Sequence, residues 1–231
     1  MMRRDCVMLS YDEPLANELH ARLSHVFGHV HRLHGVRGMR RAYRLTAEIV
    51  DTEEFWLADG DFEIDLDFST DDASPLASGV PMRVWRARNA VNGLEYGYGG
   101  LKLIRRDALR QMGEAVDVLA ALPGKPEFVP HVAGSTRFNQ SPYHTWHGAF
   151  RECAMLARGS EYRMSDTATR QRLEAWTAGG RGAFAPWAVR GARDGIAFAA
   201  RARTLDDWDQ INDPMWLHAR FRESYGSQDT L

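Results

Sequence analysis

Glu54-Phe55-Trp56-Leu57-Ala58-Asp59-Gly60-Asp61 is an apolar run that passes straight into two carboxylates one small residue apart. Its first five residues have the length and aromatic content of a buried strand. Two further strands are predicted before it. Cys6 to Ser10 is a short apolar run ending in Tyr11-Asp12-Glu13-Pro14, and His29 to Leu33 alternates enough to be a second strand. Between them, Leu15, Leu19, Leu23 and Val26 recur at helical spacing, which predicts a helix from about Pro14 to Phe27. Gly35-Val36-Arg37-Gly38 then opens a helix to about Asp51, with Ala42, Leu45 and Ile49 expected on its inner face. Strand–helix–strand–helix–strand at this spacing predicts an α/β fold with a mostly parallel sheet and helices on its faces. Such sheets bind ligands beyond the carboxyl ends of their strands. Ser10-Tyr11-Asp12 and Asp59-Gly60-Asp61 both fall at such ends.

Further along, Met82 to Ala87 reads as a strand entering a polar loop at 88–93, and Leu94 to Ile104 carries Tyr96, Tyr98 and three glycines. A helix is expected over Arg105 to Gln111, and Pro123 to Ser135 is irregular or β. Helices are expected over Phe150 to Arg158 and Thr167 to Thr177, then a helical tail punctuated by Trp187, Trp208 and Trp216. The glycine-rich run from Thr177 to Trp187 reads as a lid, an acceptor loop or a plain connection. The chain shows no internal repeat and no evident linker. It is expected to form a single domain over 1–224: a nucleotide-binding half (1–68), an acceptor and catalytic half (80–158), a helical C-terminal part (160–224), and a frayed tail at 225–231.

At 231 residues, with 44% apolar and 26% charged residues, the composition is that of an ordinary globular protein rather than a disordered one. Cys6 and Cys153 offer no disulfide framework, which fits a reducing cytoplasm. The apolar run in the opening MMRRDCVMLSY is too short for a signal-peptide core, and no stretch approaches a membrane span. A formal charge of −2 gives no whole-molecule field for nucleic acid. The cations are nevertheless almost all arginine: 27 of 29, with lysine only at 102 and 125. Clusters at Arg37/Arg40/Arg41/Arg44, Arg83/Arg86/Arg88 and Arg105/Arg106/Arg110 could form local positive patches that pair with phosphate.

Asp59-Gly60-Asp61 is the sharpest chemical feature. Two carboxylates at the exposed end of a strand can hold a divalent ion without enclosing it, and Gly60 permits close backbone approach. Hard oxygen ligands suit Mg2+ or Mn2+, with positions left for diphosphate oxygens. The bland alternative is a solvated acidic turn, and Glu63, Asp65 and Asp67 compete as the acidic cluster. His144 and His147 sit three apart, but without a His-Glu-x-x-His pattern or a cysteine pair they do not make a zinc site.

Five segments together resemble one family. They are Ser10 to Pro14, the Asp59-Gly60-Asp61 strand, Val84 to Lys102, Thr136-Arg137-Phe138-Asn139 and Ala149-Phe150-Arg151-Glu152. They resemble the GT-A-type glycosyltransferases, and within them the small bacteriophage enzymes that glycosylate hydroxymethylpyrimidines in DNA. The resemblance implies a GT-A-like half-Rossmann mixed sheet flanked by helices, with a helical C-terminal part. It implies a nucleoside diphosphate sugar donor, most often a UDP-sugar, bound by Ser10, Tyr11, Asp12, Arg37, Gly38, Arg41, Asp59 and Gly60. Mn2+ or Mg2+ would be held by Asp59 and Asp61, with a late histidine, His218, as a further ligand; His131, His144 and His147 compete for that role. Asp61 and Glu152 are the implied catalytic residues, although Arg151 stands where the family has a second acid, so an ion pair is the alternative role for Glu152. Tyr98, Gly99, Gly100, Lys102, Arg137 and Trp146 are implied on the acceptor side. Modified DNA is the implied acceptor, with Arg83, Arg86, Arg88, Arg105 and Arg137 as phosphate contacts and Tyr96, Tyr98 or Trp146 stacking on a base. The location implied is the cytoplasm of a bacterial host, with no membrane partner.

Overall fold

The computed structural model describes residues 3–71, 73–97, 99–159 and 164–226. The chain divides into two compact units, one of Met1–Asn89 with Glu95–Arg137, the other of Ala90–Leu94 with Phe138–Leu231.

The first unit is a mixed sheet. Its strands are β1 (Cys6–Ser10), β2 (His31–His34), β3 (Glu54–Asp59), β4 (Phe62–Ile64), β5 (Met82–Asn89), β6 (Glu95–Tyr96), β7 (Leu101–Arg105) and β8 (Glu127–Thr136). The order is β2-β1-β3-β7-β5-β8-β4, with β6 paired to β5. β1 pairs in parallel with both β2 and β3. β7 lies antiparallel between β3 and β5, and β8 runs parallel to β5. The expected α/β class, with a half-Rossmann opening and a mixed sheet, is therefore the observed one.

Period-two alternation gives the sheet two apolar faces. Along β3, Trp56 and Ala58 join one core with Met8, Leu101 and Leu103, covered by α1 (Ala16–Phe27) through Leu19 and Leu23. Phe55 and Leu57 join the other with Val7, Val84 and Ile104. That face is covered by α2 (Met39–Ile49), α3 (Arg106–Arg110) and α4 (Val118–Ala121). On α2 the buried residues are Ala42, Tyr43, Thr46 and Ala47. Ile49, expected inside, is 39% exposed. The Tyr43/Ala47 stripe faces the sheet instead, which turns position 49 outward.

Two strands were not expected as they occur. β4 is only three residues long and is held by antiparallel pairing of Phe62 with Thr136 and Ile64 with Gly134. β8 carries Pro130 where its register against β5 shifts, Trp85 facing Val129 but Arg86 facing Val132. A bulge there accommodates a residue that cannot donate to the ladder.

The second unit is helical: α5 (Pro142–Arg158), α6 (Asp166–Ala178), α7 (Ala185–Ala199), α8 (Leu205–Asp209) and α9 (Pro214–Tyr225). α5 begins eight residues before the expected start. Ser141 caps it by accepting from the His144 amide, and Pro142 occupies the first turn. α7 lies directly on α5. A Cβ at Gly191 would come within 2.2 Å of the Trp146 carbonyl oxygen, and one at Gly195 within 2.3 Å of the Phe150 carbonyl oxygen. Two glycines one turn apart thus let the helix backbones touch. Among the described residues, no helix is long and apolar enough to cross a membrane.

Candidate functional site

Five strands point the same way, so their carboxyl ends share one edge of the sheet. Ser10, His34, Asp59, Asn89 and Thr136 end β1, β2, β3, β5 and β8 there. β7 runs the other way, so its lead-in, Gly99 and Gly100, reaches the same edge. Ser10, Asp59, Gly60, Asp61, Gly99, Gly100 and Arg137, scattered over 128 positions of sequence, are brought to this edge by topology alone.

The β1 end is fixed first. Ser10 is buried; Arg32 Nε donates to its hydroxyl at 2.8 Å, and the hydroxyl lies 3.0 Å from His34 Nδ1. The Gly35 amide donates to the Ser10 carbonyl at 2.9 Å, tying β2 to β1. Beyond it, Gly38 (φ 90°) starts α2 without a side-chain cap, and no acidic residue occupies the first turn. The helix start lies beside exposed Arg37 and Arg41, a setting that favours an anion. Arg40 and Arg44 turn to Glu114 at 3.4 and 2.8 Å.

Beside this lies the acidic turn. The Tyr11 amide donates to Glu13 at 2.7 Å, folding that carboxylate back over Gly60. A Cβ at Gly60 would meet Glu13 Oε2 at 2.6 Å and the Leu9 carbonyl at 2.8 Å, so no other residue fits without displacing the loop. Glu13, Asp59 and Asp61 consequently crowd together. Burial, then the charges of Asp59 and Glu13, push the Asp61 carboxyl up to about 7. Burial, with Asp12 and Asp59, also raises Glu13. Glu13 was not singled out in the sequence, where it looked like one more loop acid; its closeness to Gly60 comes from a contact across 47 residues.

Asp59 is treated differently. Lys102 Nζ sits 2.5 Å from Asp59 Oδ1, also donates to the Gly99 carbonyl, and lies 5.4 Å from the centre of the Tyr43 ring. Burial disfavours the ammonium, but Asp59 and Tyr43 outweigh it and hold its pKa above the ordinary lysine value. The Lys102 side chain is 2% exposed, whereas that of Asp59 is 36% exposed. Lys102, expected on the acceptor side, is instead the partner of the acidic turn.

The remaining expected residues divide. Gly99 and Gly100 lead into β7, where a Cβ at Gly100 would strike the Phe62 ring at 2.4 Å. Arg137 gives its amide to the Asp61 carbonyl at 2.7 Å and its guanidinium to Glu63. Tyr98 lies outside the described residues. Arg83 is buried, bound to Glu127 at 2.9 Å and the Ser74 carbonyl at 2.8 Å. Arg105 is spent on the carbonyls of Leu76 and Val80, and Arg88 pairs with Glu95. Arg83 and Arg105 thus hold loops together rather than facing a phosphate backbone, whereas Arg86 and Arg88 are exposed.

Trp146, Glu152 and His218 belong to the helical unit. Trp146 is fully buried, with its indole N–H on Asp194 at 2.8 Å, and cannot stack on an acceptor base; the expectation drawn from its position after the β8 motif is corrected by its inward face on α5. Glu152 is buried, 3.6 Å from Arg172. The ion pair left open for it exists, but Arg151 is not the partner; Arg151 binds the Ile211 carbonyl and Asn212. His218 stacks on Tyr143 at 3.7 Å, with His144 and His147 packed around the same ring.

No family model matches the chain, and no curated protein matches it. Among solved structures, the chain is similar to HddC from Yersinia pseudotuberculosis, with TM-score 0.38 and 14% identity over 57% of this chain and 71% of that one. It is also similar to the mannosyltransferase PcManGT from Pyrobaculum calidifontis, in complex with GDP-Man and Mn2+, with TM-score 0.43 and 13% identity over 97% of this chain and 88% of that one. Likeness at that level says nothing of the donor, metal or acceptor of this chain.

Proposed function

We propose that the chain is a glycosyltransferase that takes its sugar from a nucleoside diphosphate sugar and grips the diphosphate at Asp59-Gly60-Asp61. The observation that carries this reading is the crowding of Glu13, Asp59 and Asp61 at the exit of β3, where burial and mutual repulsion resist ionisation of Asp61. Such a concentration of half-buried acid is costly unless a cation shares it. Among the described residues no three His, Cys, Asp or Glu side chains form a closed metal cage. Two carboxylates with the rest of the shell open fit Mn2+ or Mg2+ completed by phosphate and water, and do not fit structural zinc. When bound, such an ion neutralises charge on the departing nucleoside diphosphate. Asp61 is assigned as its direct ligand, Asp59 as sharing it or serving the nucleotide. Ser10, Tyr11, Asp12 and the Gly38 helix start, with Arg37 and Arg41, are assigned to the nucleotide and its phosphates.

We assign the acceptor to a hydroxymethylated pyrimidine in DNA, on the strength of the sequence resemblance. Incubation with a panel of UDP-, GDP- and dTDP-sugars and hydroxymethylated DNA, followed by nucleoside mass spectrometry, is the test. A mass gain of one sugar on hydroxymethylcytosine or hydroxymethyluracil supports the assignment. Transfer only to a polysaccharide, protein or small molecule would retain the chemistry and sink the acceptor. A non-catalytic nucleotide-binding protein is the second reading, favoured by the burial of Glu152 against Arg172. Its mark is nucleoside diphosphate binding with neither transfer nor slow donor hydrolysis.

A further inference from the structure

An arginine-rich chain has placed a lysine against its acidic turn. Lys102 donates to Asp59 and to the Gly99 carbonyl, and its ammonium lies 5.4 Å from the centre of the Tyr43 ring. Nζ thus bridges a carboxylate oxygen and a backbone carbonyl as a compact point charge. β7 delivers the lysine from directly beside β3, since Leu57 faces Lys102 and Ala58 faces Leu101 in the ladder. One oxygen of Asp59 is thereby committed to Nζ, and one of the three negative charges around Gly60 is already balanced.

We propose that Lys102 is a positioning residue that keeps the acidic turn from capturing a divalent cation on its own, so that the cation binds only together with a nucleoside diphosphate. The proposal rests on the metal-dependent reading above. A fixed positive charge at Asp59 Oδ1 repels a free divalent ion, whereas the same charge attracts the anionic complex of that ion with a diphosphate. The fold thus makes metal binding conditional on donor.

Electron paramagnetic resonance of free Mn2+, titrated with protein alone and with UDP or GDP against protein-free nucleotide controls, reads this directly. In the wild type, Mn2+ is expected to bind at least tenfold tighter with nucleotide than without. Lys102→Gln keeps a donor for Asp59 but removes the charge, and Lys102→Met removes both. Each is expected to bind nucleotide-free Mn2+ at least tenfold tighter than the wild type and to lose the nucleotide's enhancement. Lys102→Arg, which keeps the charge, is expected to behave as the wild type in nucleotide-free Mn2+ affinity. The sign is diagnostic, because damage to the fold weakens binding and does not tighten it. Unchanged or weaker nucleotide-free affinity in folded Lys102→Gln overturns the proposal. Should neither neutral variant fold, equal wild-type affinity with and without nucleotide overturns it. Absence of Mn2+ binding in every protein, with nucleotide present, removes the metal reading itself and is distinguishable from both.

Discussion

Both units pack rings in their cores, but the sheet unit buries more polar side chains than the helical unit. Among the described residues, Ser10, Thr46, Glu54, Arg83, Asn89, Lys102 and Thr136 are buried polar side chains of the sheet unit, against Thr145 and Glu152 in the helical unit. The helical unit is packed with rings. Trp146, Phe150, Phe198, Trp216 and Phe221 are linked through ring contacts of 4.8–6.1 Å. Aromatic packing and area burial stabilise without demanding partners, whereas every buried polar group must be satisfied or it destabilises. The contrast separates a unit with few buried polar side chains from one that keeps Ser10, Asn89 and Thr136 buried at a strand-end edge.

That contrast can be broken at its sharpest point first. Asp61→Asn is expected to cost about a hundredfold or more in sugar transfer, the scale of losing charge stabilisation of a leaving group. The same change removes a repelled carboxylate, so the melting temperature without metal should hold or rise. A variant that transfers normally with Mn2+, or one that simply unfolds, would erase the distinction between the units. In the helical unit the expectation reverses. Gly191→Ala places a methyl against the Trp146 carbonyl oxygen, which cannot give way, and should destabilise by about 1–3 kcal/mol in urea. Nucleotide binding by the folded fraction is expected to stay intact.

Smaller effects sharpen the comparison. Asp194 accepts the Trp146 indole N–H at 2.8 Å and the Tyr225 hydroxyl at 2.6 Å. Asp194→Ala leaves both donors unmatched and should cost roughly 1–2 kcal/mol. Burial, then the Asp194 hydrogen bond and charge, push Tyr225 up to about 12. A tyrosine raised above its unfolded value stabilises fully below about pH 10. That contribution fades as pH rises toward 12. Ultraviolet titration should show Tyr225 ionising late, as the buried Tyr43 also does, and moving down in Asp194→Asn. Least of all, Glu48→Gln breaks the exposed pair with Arg110 at 3.1 Å and should change stability by less than about 0.5 kcal/mol.

The opening of the fold was legible because its signals are local. Cys6 to Ser10 and Glu54 onward are apolar runs bounded by turn residues, and their order alone specifies a parallel start. β4 was not legible, since three residues amid acids carry no periodicity and exist only through pairing with β8. α5 was legible only from Phe150 onward, because Trp146 and Glu152 read as acceptor-side and catalytic residues, which hid the helix face that buries them. At the candidate site, the turn and the Gly99-Gly100 approach were readable as residues. Glu13 over Gly60 and Lys102 on Asp59 were not, because each is a pairing between distant segments that only strand order creates.

The scarcity of lysine has a practical side. Amine-reactive reagents meet two side chains of very different access: Lys125 stands exposed, and Lys102 is enclosed by Asp59 and the Gly99 carbonyl. Mass spectrometry after timed acylation therefore yields an internal clock, with Lys125 marking reagent exposure and Lys102 marking each opening of the edge that holds it. Without any label introduced by mutation, the chain carries its own gauge of how often that lysine lets go of its partner.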